Sequence, residues 1–129
     1  MNALAISVLS ISAGASLGAL LRWFLAGRLN PLTSLLPLGT LTANLLGGYL
    51  VGVAVAVFAS MPQLPAHYRL FIITGFLGGL TTFSTFSAEV VTQLQQGQTA
   101  SALAIAFAHL LGSFALTALG IASVAWLRA

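Results

Sequence analysis

The residues able to do chemistry in this chain are few, and most of them fall in one stretch: Thr74-Gly75-Phe76-Leu77-Gly78-Gly79-Leu80-Thr81-Thr82-Phe83-Ser84-Thr85-Phe86-Ser87-Ala88-Glu89. Its surroundings are apolar over a length that can cross a bilayer. Yet it holds three glycines, a dense run of Ser and Thr, and the only acidic residue of the chain. Glycine costs about 1 kcal/mol in a helix interior relative to alanine. Neighbouring Ser and Thr hydroxyls draw hydrogen bonds away from the backbone ladder. Gly78-Gly79-Leu80-Thr81-Thr82 therefore reads as a break in a spanning helix, and at membrane depth such backbone survives only inside protein or against a water-filled cavity. The upstream half would end in unpaired carbonyls, which suit a cation. The downstream half would begin with unpaired N–H groups, which suit an anion.

Other polar side chains recur at helical spacing. Thr40 and Asn44 share a face one turn apart. Asn44 is either helix–helix glue or a ligand for something passing through, because a carboxamide in the bilayer needs a partner. His109, Ser113 and Thr117 form one stripe, read either as packing or as a polar track. Gly14, Gly18 and Arg22 share a face of the first apolar segment; Arg22 either snorkels to the interface or faces a polar vestibule. Phe83 and Phe86 are three apart, with Ser84, Thr85 and Ser87 around them. Ring edges turned into a pore favour an anion and ring faces a cation; the spacing does not orient them. Glu89 reads as a vestibule carboxylate near the end of its span. No nucleophile–base pair, metal-ligand cluster or cysteine is present, so the chemistry implied is ion handling, not catalysis.

These side chains need elements to hold them. The chain has 129 residues, 59% hydrophobic and 4% charged, with mean hydropathy +1.07. A soluble domain carries about 25% charged residues, so the expectation is an all-α integral membrane protein forming one membrane domain. Its four transmembrane helices should cover about 4–26, 40–60, 68–94 and 100–127, each long enough for a core of about 30 Å. The third would be about 40 Å long if unbroken, and a central break absorbs the excess. The first apolar stretch reads as a span and not a cleaved leader, since it is too long and lacks a charged start. Pro31 and Pro37 punctuate the first connector, Pro62 and Pro65 the second; Gly97 suits a helix C′ position and Thr99 an N-cap.

Four spans put both termini on one side, with Arg69 and Arg128. Arg22 and Arg28 lie toward the other. Two against two gives no positive-inside bias, so insertion both ways is expected. Opposed copies would pair through small-residue faces as an antiparallel homodimer. A lone four-helix bundle with one broken member has little wall for a pore, which also favours a dimer. The scattered arginines form no basic patch, which argues against nucleic acid.

At Gly18-Ala19-Leu20-Leu21-Arg22-Trp23, at Gly39-Thr40-Leu41-Thr42-Ala43-Asn44-Leu45-Leu46-Gly47, and at Gly75 to Ser87 with Glu89, the sequence resembles the small bacterial fluoride channels of the CrcB/Fluc type. The resemblance covers the whole chain, and its third segment is the specific one. It implies a dual-topology dimer with two antiparallel pores in the bacterial inner membrane, passively exporting fluoride. Phe83 and Phe86 would offer ring edges to the ion and Asn44 an amide donor. Thr40, Ser84, Thr85, Ser113 and Thr117 would line the pore with hydroxyls. A structural sodium ion (Na+) would bind the Gly78 and Thr81 carbonyls of both subunits. Position 109 is often Tyr in such channels, and His109 departs from that. A proton-coupled multidrug transporter is the main alternative, but it needs a carboxylate in the first span, where this chain has none. A passive assembly subunit is a third reading, and it leaves the broken helix unexplained.

Overall fold

The computed structural model describes every residue from Met1 to Ala129. Four apolar helical segments are long enough to cross a membrane: Ala3–Leu32, Leu38–Ser60, Ala66–Gln95 and Thr99–Arg128. The first comprises α1 (Ala3–Leu29) and a 3₁₀ turn at Asn30–Leu32. The second is α2 (Leu38–Ser60) and the fourth is α5 (Thr99–Arg128). The third is in two pieces, α3 (66–80) and α4 (Phe83–Gln95).

Two packed pairs build the bundle. α1 lies along α3, and α2 lies along α5. In lipid there is little hydrophobic drive between helices, so close backbone approach and hydrogen bonds hold such pairs. Small residues permit the approach. A Cβ on Gly18 would collide with the Phe76 carbonyl oxygen, and one on Gly79 with that of Ala15. Gly52 meets the Thr117 carbonyl oxygen and Gly120 that of Tyr49 in the same manner. Cross-helix bonds add to this, from Thr117 Oγ1 to Gly48 O (2.9 Å) and from Tyr49 Oη to Ser123 Oγ (3.2 Å).

α3 is itself irregular. Its middle, Leu70–Leu77, is π-helical, and the Gly78 N–H reaches back to Ile73 O. Insertions of this kind cluster at functional sites. No residue type in Leu70–Leu77 announces it, and the sequence reading missed it.

The interruption lies at the centre of the third span, as expected, but it is shorter than the glycines suggested. Gly78–Leu80 is helical. Only Thr81 (φ −84°, ψ 153°) and Thr82 (φ −149°, ψ 118°) are extended. The correction has a physical reason: Gly79 serves the α1–α3 contact, against Ala15, while β-branched Thr takes extended backbone readily. Thr82 then caps α4, its Oγ1 accepting from Thr85 N at 3.1 Å.

α4 ends as the Gly97 position predicts. Gly97 has φ +74°; its N–H bonds Leu94 O (3.0 Å) and the Gln98 N–H bonds Gln93 O (2.9 Å), a Schellman close. α5 begins at Thr99, with Gln98 in the N-cap position but making no side-chain capping bond, so the capping role expected of Thr99 is not filled.

Candidate functional site

The extended pair at Thr81–Thr82 leaves backbone groups that must find partners in an apolar setting. Asn44 of α2 supplies them. Its Oδ1 accepts from Thr82 N at 2.8 Å, and its Nδ2 donates to Thr82 O at 3.0 Å. The carboxamide thus pairs with Thr82 as a neighbouring strand would, and pins the break to α2. The second Nδ2 hydrogen meets His109 Nδ1 at 2.9 Å. Both N–H groups of Asn44 are therefore engaged, and the free amide donor implied by the resemblance is not available here. The glue reading of Asn44 describes these contacts.

Around this clamp lies a cavity of about 380 Å³. Asn44, Gly78, Thr81, Thr82, Phe83, Phe86, His109 and Ser113 line it, with aliphatic side chains and Phe114. Phe83 and Phe86 meet edge to face, with ring centroids 5.5 Å apart and planes at 81°. Phe86 is buried while Phe83 is 73% exposed. On its other side Phe86 stacks on His109, centroids 4.5 Å apart and planes at 20°. The cavity lies at the start of α4, where the first N–H groups carry a partial positive charge.

The upstream edge carries the opposite polarity, and a cation already sits there. Arg22 Nε donates to Gly79 O at 3.1 Å. Arg22 thus turns inward to the end of α3 instead of snorkelling to the interface. Thr81 Oγ1 and Thr81 N both bond Leu77 O, at 2.8 and 3.0 Å.

Other expected residues sit apart from the cavity. Thr40 is buried and donates to Glu89 Oε1 at 2.7 Å. Glu89 is half-buried, and its Oε2 is buried without a partner, so the vestibule placement gives way to a lodged carboxylate beside α2. Thr117 commits its hydroxyl to Gly48 O and does not line the cavity. Ser84 Oγ contacts Thr82 Oγ1 at 3.2 Å and is exposed. Thr85 engages through its backbone. Ser113 and His109, from the same stripe as Thr117, do line the cavity.

Asn30 was missed. Its Oδ1 accepts from Gly39 N (2.7 Å) and Thr40 N (3.2 Å). It caps α2 from the preceding turn, because the adjacent Pro37 has no capping side chain. An Asn immediately before the first connector proline, Pro31, was the only available signal.

Four apolar helices, one interrupted at its centre beside a largely apolar and aromatic cavity with a few polar side chains, define a multi-pass membrane protein. The chain matches the family described as CrcB-like protein, Camphor Resistance (CrcB), over residues 9–121, and it belongs to that family. It is 62% identical over 122 residues to a protein of Chromobacterium violaceum named fluoride-specific ion channel FluC, covering 95% of this chain and 97% of that one. Proteins of the same name from Burkholderia thailandensis and Burkholderia lata are each 58% identical, covering 94% and 95% of this chain and 95% and 97% of their own. These relatives are named as channels, not as enzymes.

Proposed function

We propose that this chain is a fluoride-selective channel that exports fluoride passively across the bacterial inner membrane and lowers its cytoplasmic level. One observation carries the reading: an interrupted third span sets an aromatic pair at its anion-favouring end, in a chain 62% identical to a fluoride-specific ion channel. Fluoride is small and strongly hydrated, so a pore must replace most of its water. Hydroxyl and N–H donors do this chiefly, with ring edges as weaker partners.

The working unit is an antiparallel homodimer of dual-topology chains with two pores. The balanced arginines support it; the small-residue faces expected to pair the copies are instead taken up within the chain, at the α1–α3 and α2–α5 contacts. The exposed Phe83 and Phe114, 73% and 68% accessible in the single chain beside the cavity, also support it. A sodium ion at the dimer centre, held by the Gly78 and Thr81 carbonyls of both copies, belongs to the same proposal. The residues fit such an ion. Carbonyl oxygens are hard ligands, and a Cβ on Gly78 would meet only Ile73 O, at 3.7 Å, so that end of α3 is open to approach. Bound there, sodium would neutralise carbonyls that the helix end leaves unpaired.

Expression in a fluoride-sensitive bacterial strain tests the export role. The intact chain should restore growth on fluoride and lower cytoplasmic fluoride. Absence of rescue by protein shown to reach the membrane would contradict it.

A further inference from the structure

The Asn44 carboxamide determines more than the path of the backbone; it determines where its neighbour carries a proton. Asn44 Oδ1 accepts from the Thr82 amide, which identifies the other end of the carboxamide as Nδ2. Nδ2 can only donate, so His109 Nδ1, 2.9 Å away, must accept. A neutral imidazole with a bare Nδ1 carries its hydrogen on Nε2. The ring has no freedom to exchange these roles: His109 is only 3% exposed and stacks on Phe86.

His109 Nε2 is itself buried and has no hydrogen-bond partner. A buried donor left without a partner costs about 1–3 kcal/mol, and each such group calls for an explanation, ligand binding among them. The residue lines the cavity with Thr82, Phe83 and Ser113. An N–H group has no lone pair to offer, so this position is closed to a cation and open to an acceptor. A neutral donor also holds an anion loosely enough for it to leave, as conduction requires.

We propose that His109 presents a neutral Nε2–H to the permeating anion, held in that tautomer by the Asn44–Thr82 clamp. This rests on the fluoride reading above and names the donor that Asn44, with both its hydrogens engaged, does not supply.

The chain has two histidines, and the other, His67, is half-buried at the start of α3, away from the cavity. A His67→Gln protein labelled with ¹⁵N-histidine therefore reports on His109 alone by long-range ¹H–¹⁵N correlation. The expected spectrum has Nε2 protonated and Nδ1 bare, with Nε2 shifting on addition of sodium fluoride and not of sodium chloride. A proton on Nδ1, or an Nε2 signal indifferent to fluoride as for a resident water, overturns the proposal. Two substitutions separate the ring's roles. His109→Asn keeps an acceptor where Nδ1 stood and loses the distal donor; His109→Gln keeps an amide nitrogen near the Nε2 position. Loss of one hydrogen bond to a charged group predicts fluoride release from liposomes about tenfold slower for His109→Asn, with His109→Gln faster than it. Equal rates in two folded variants, with the intact chain active, remove the role of His109 alone. An intact chain that releases no fluoride removes the channel reading, and this proposal with it.

Discussion

Asn44 acts on three partners at once: the Thr82 N–H, the Thr82 C=O and His109 Nδ1. Asn44→Asp keeps the acceptor for the N–H and removes both donors. It leaves the Thr82 carbonyl unpaired, a loss of roughly 1–3 kcal/mol, which a lowered thermal midpoint in detergent would register; an unchanged midpoint would mean that the clamp does not hold the break. Phe83→Ala probes size selection. If pore width excludes larger halides, this variant should release chloride where the intact chain does not, and unchanged chloride rejection would remove width as the cause. Much of this was legible beforehand. The Ser/Thr-rich stretch, Asn44, the aromatic pair and the 109–113–117 stripe all stood out by residue type and spacing. What spacing does not carry is which partner a hydroxyl or amide meets. Thr117 turned to the Gly48 carbonyl and Thr40 to Glu89, because in a dry interior a polar group takes a local partner before a passing one. Ring orientation was equally hidden, since i,i+3 spacing leaves χ angles open.

At the scale of elements, the interruption of the third span was readable because its composition is unfavourable in a helix. Its length was misjudged because glycine has two uses, to break a helix and to let another backbone close in. Gly79 has the second use, against Ala15. Gly18→Ala should destabilise the α1–α3 pair by about 1–3 kcal/mol, since the added methyl meets the Phe76 backbone and not a flexible side chain. Gly27→Ala is the matched control. Its added Cβ meets nothing within 4 Å, so helix propensity alone should leave it neutral or up to about 1 kcal/mol more stable. Denaturant unfolding of both variants checks the pair; similar losses at the two sites would contradict the close-packing account. The π-helical stretch at Leu70–Leu77 had no sequence signature. It fits an α1–α3 contact built from glycines on both helices, at Gly14, Gly18, Gly75 and Gly79.

At the scale of the molecule, the single chain lines its cavity from α2, α3, α4 and α5, and its four arginines are the charges from which insertion both ways is expected. The absence of cysteine makes topology directly measurable. A single cysteine in the connector between α4 and α5, such as Gln98→Cys, should label from either side of the membrane in comparable proportion. Labelling from one side only would contradict dual insertion. Replacing sodium with a bulky organic cation should lower the thermal midpoint of the protein, and an unaffected midpoint would argue against an ion on the Gly78 and Thr81 carbonyls. The most direct test of the account loads liposomes with equal fluoride and chloride, without a proton gradient, and follows both anions with selective electrodes. The intact chain should release fluoride and retain chloride, and Asn44→Asp should release far less fluoride. Parallel loss of both anions, or release that requires a proton gradient, would contradict it.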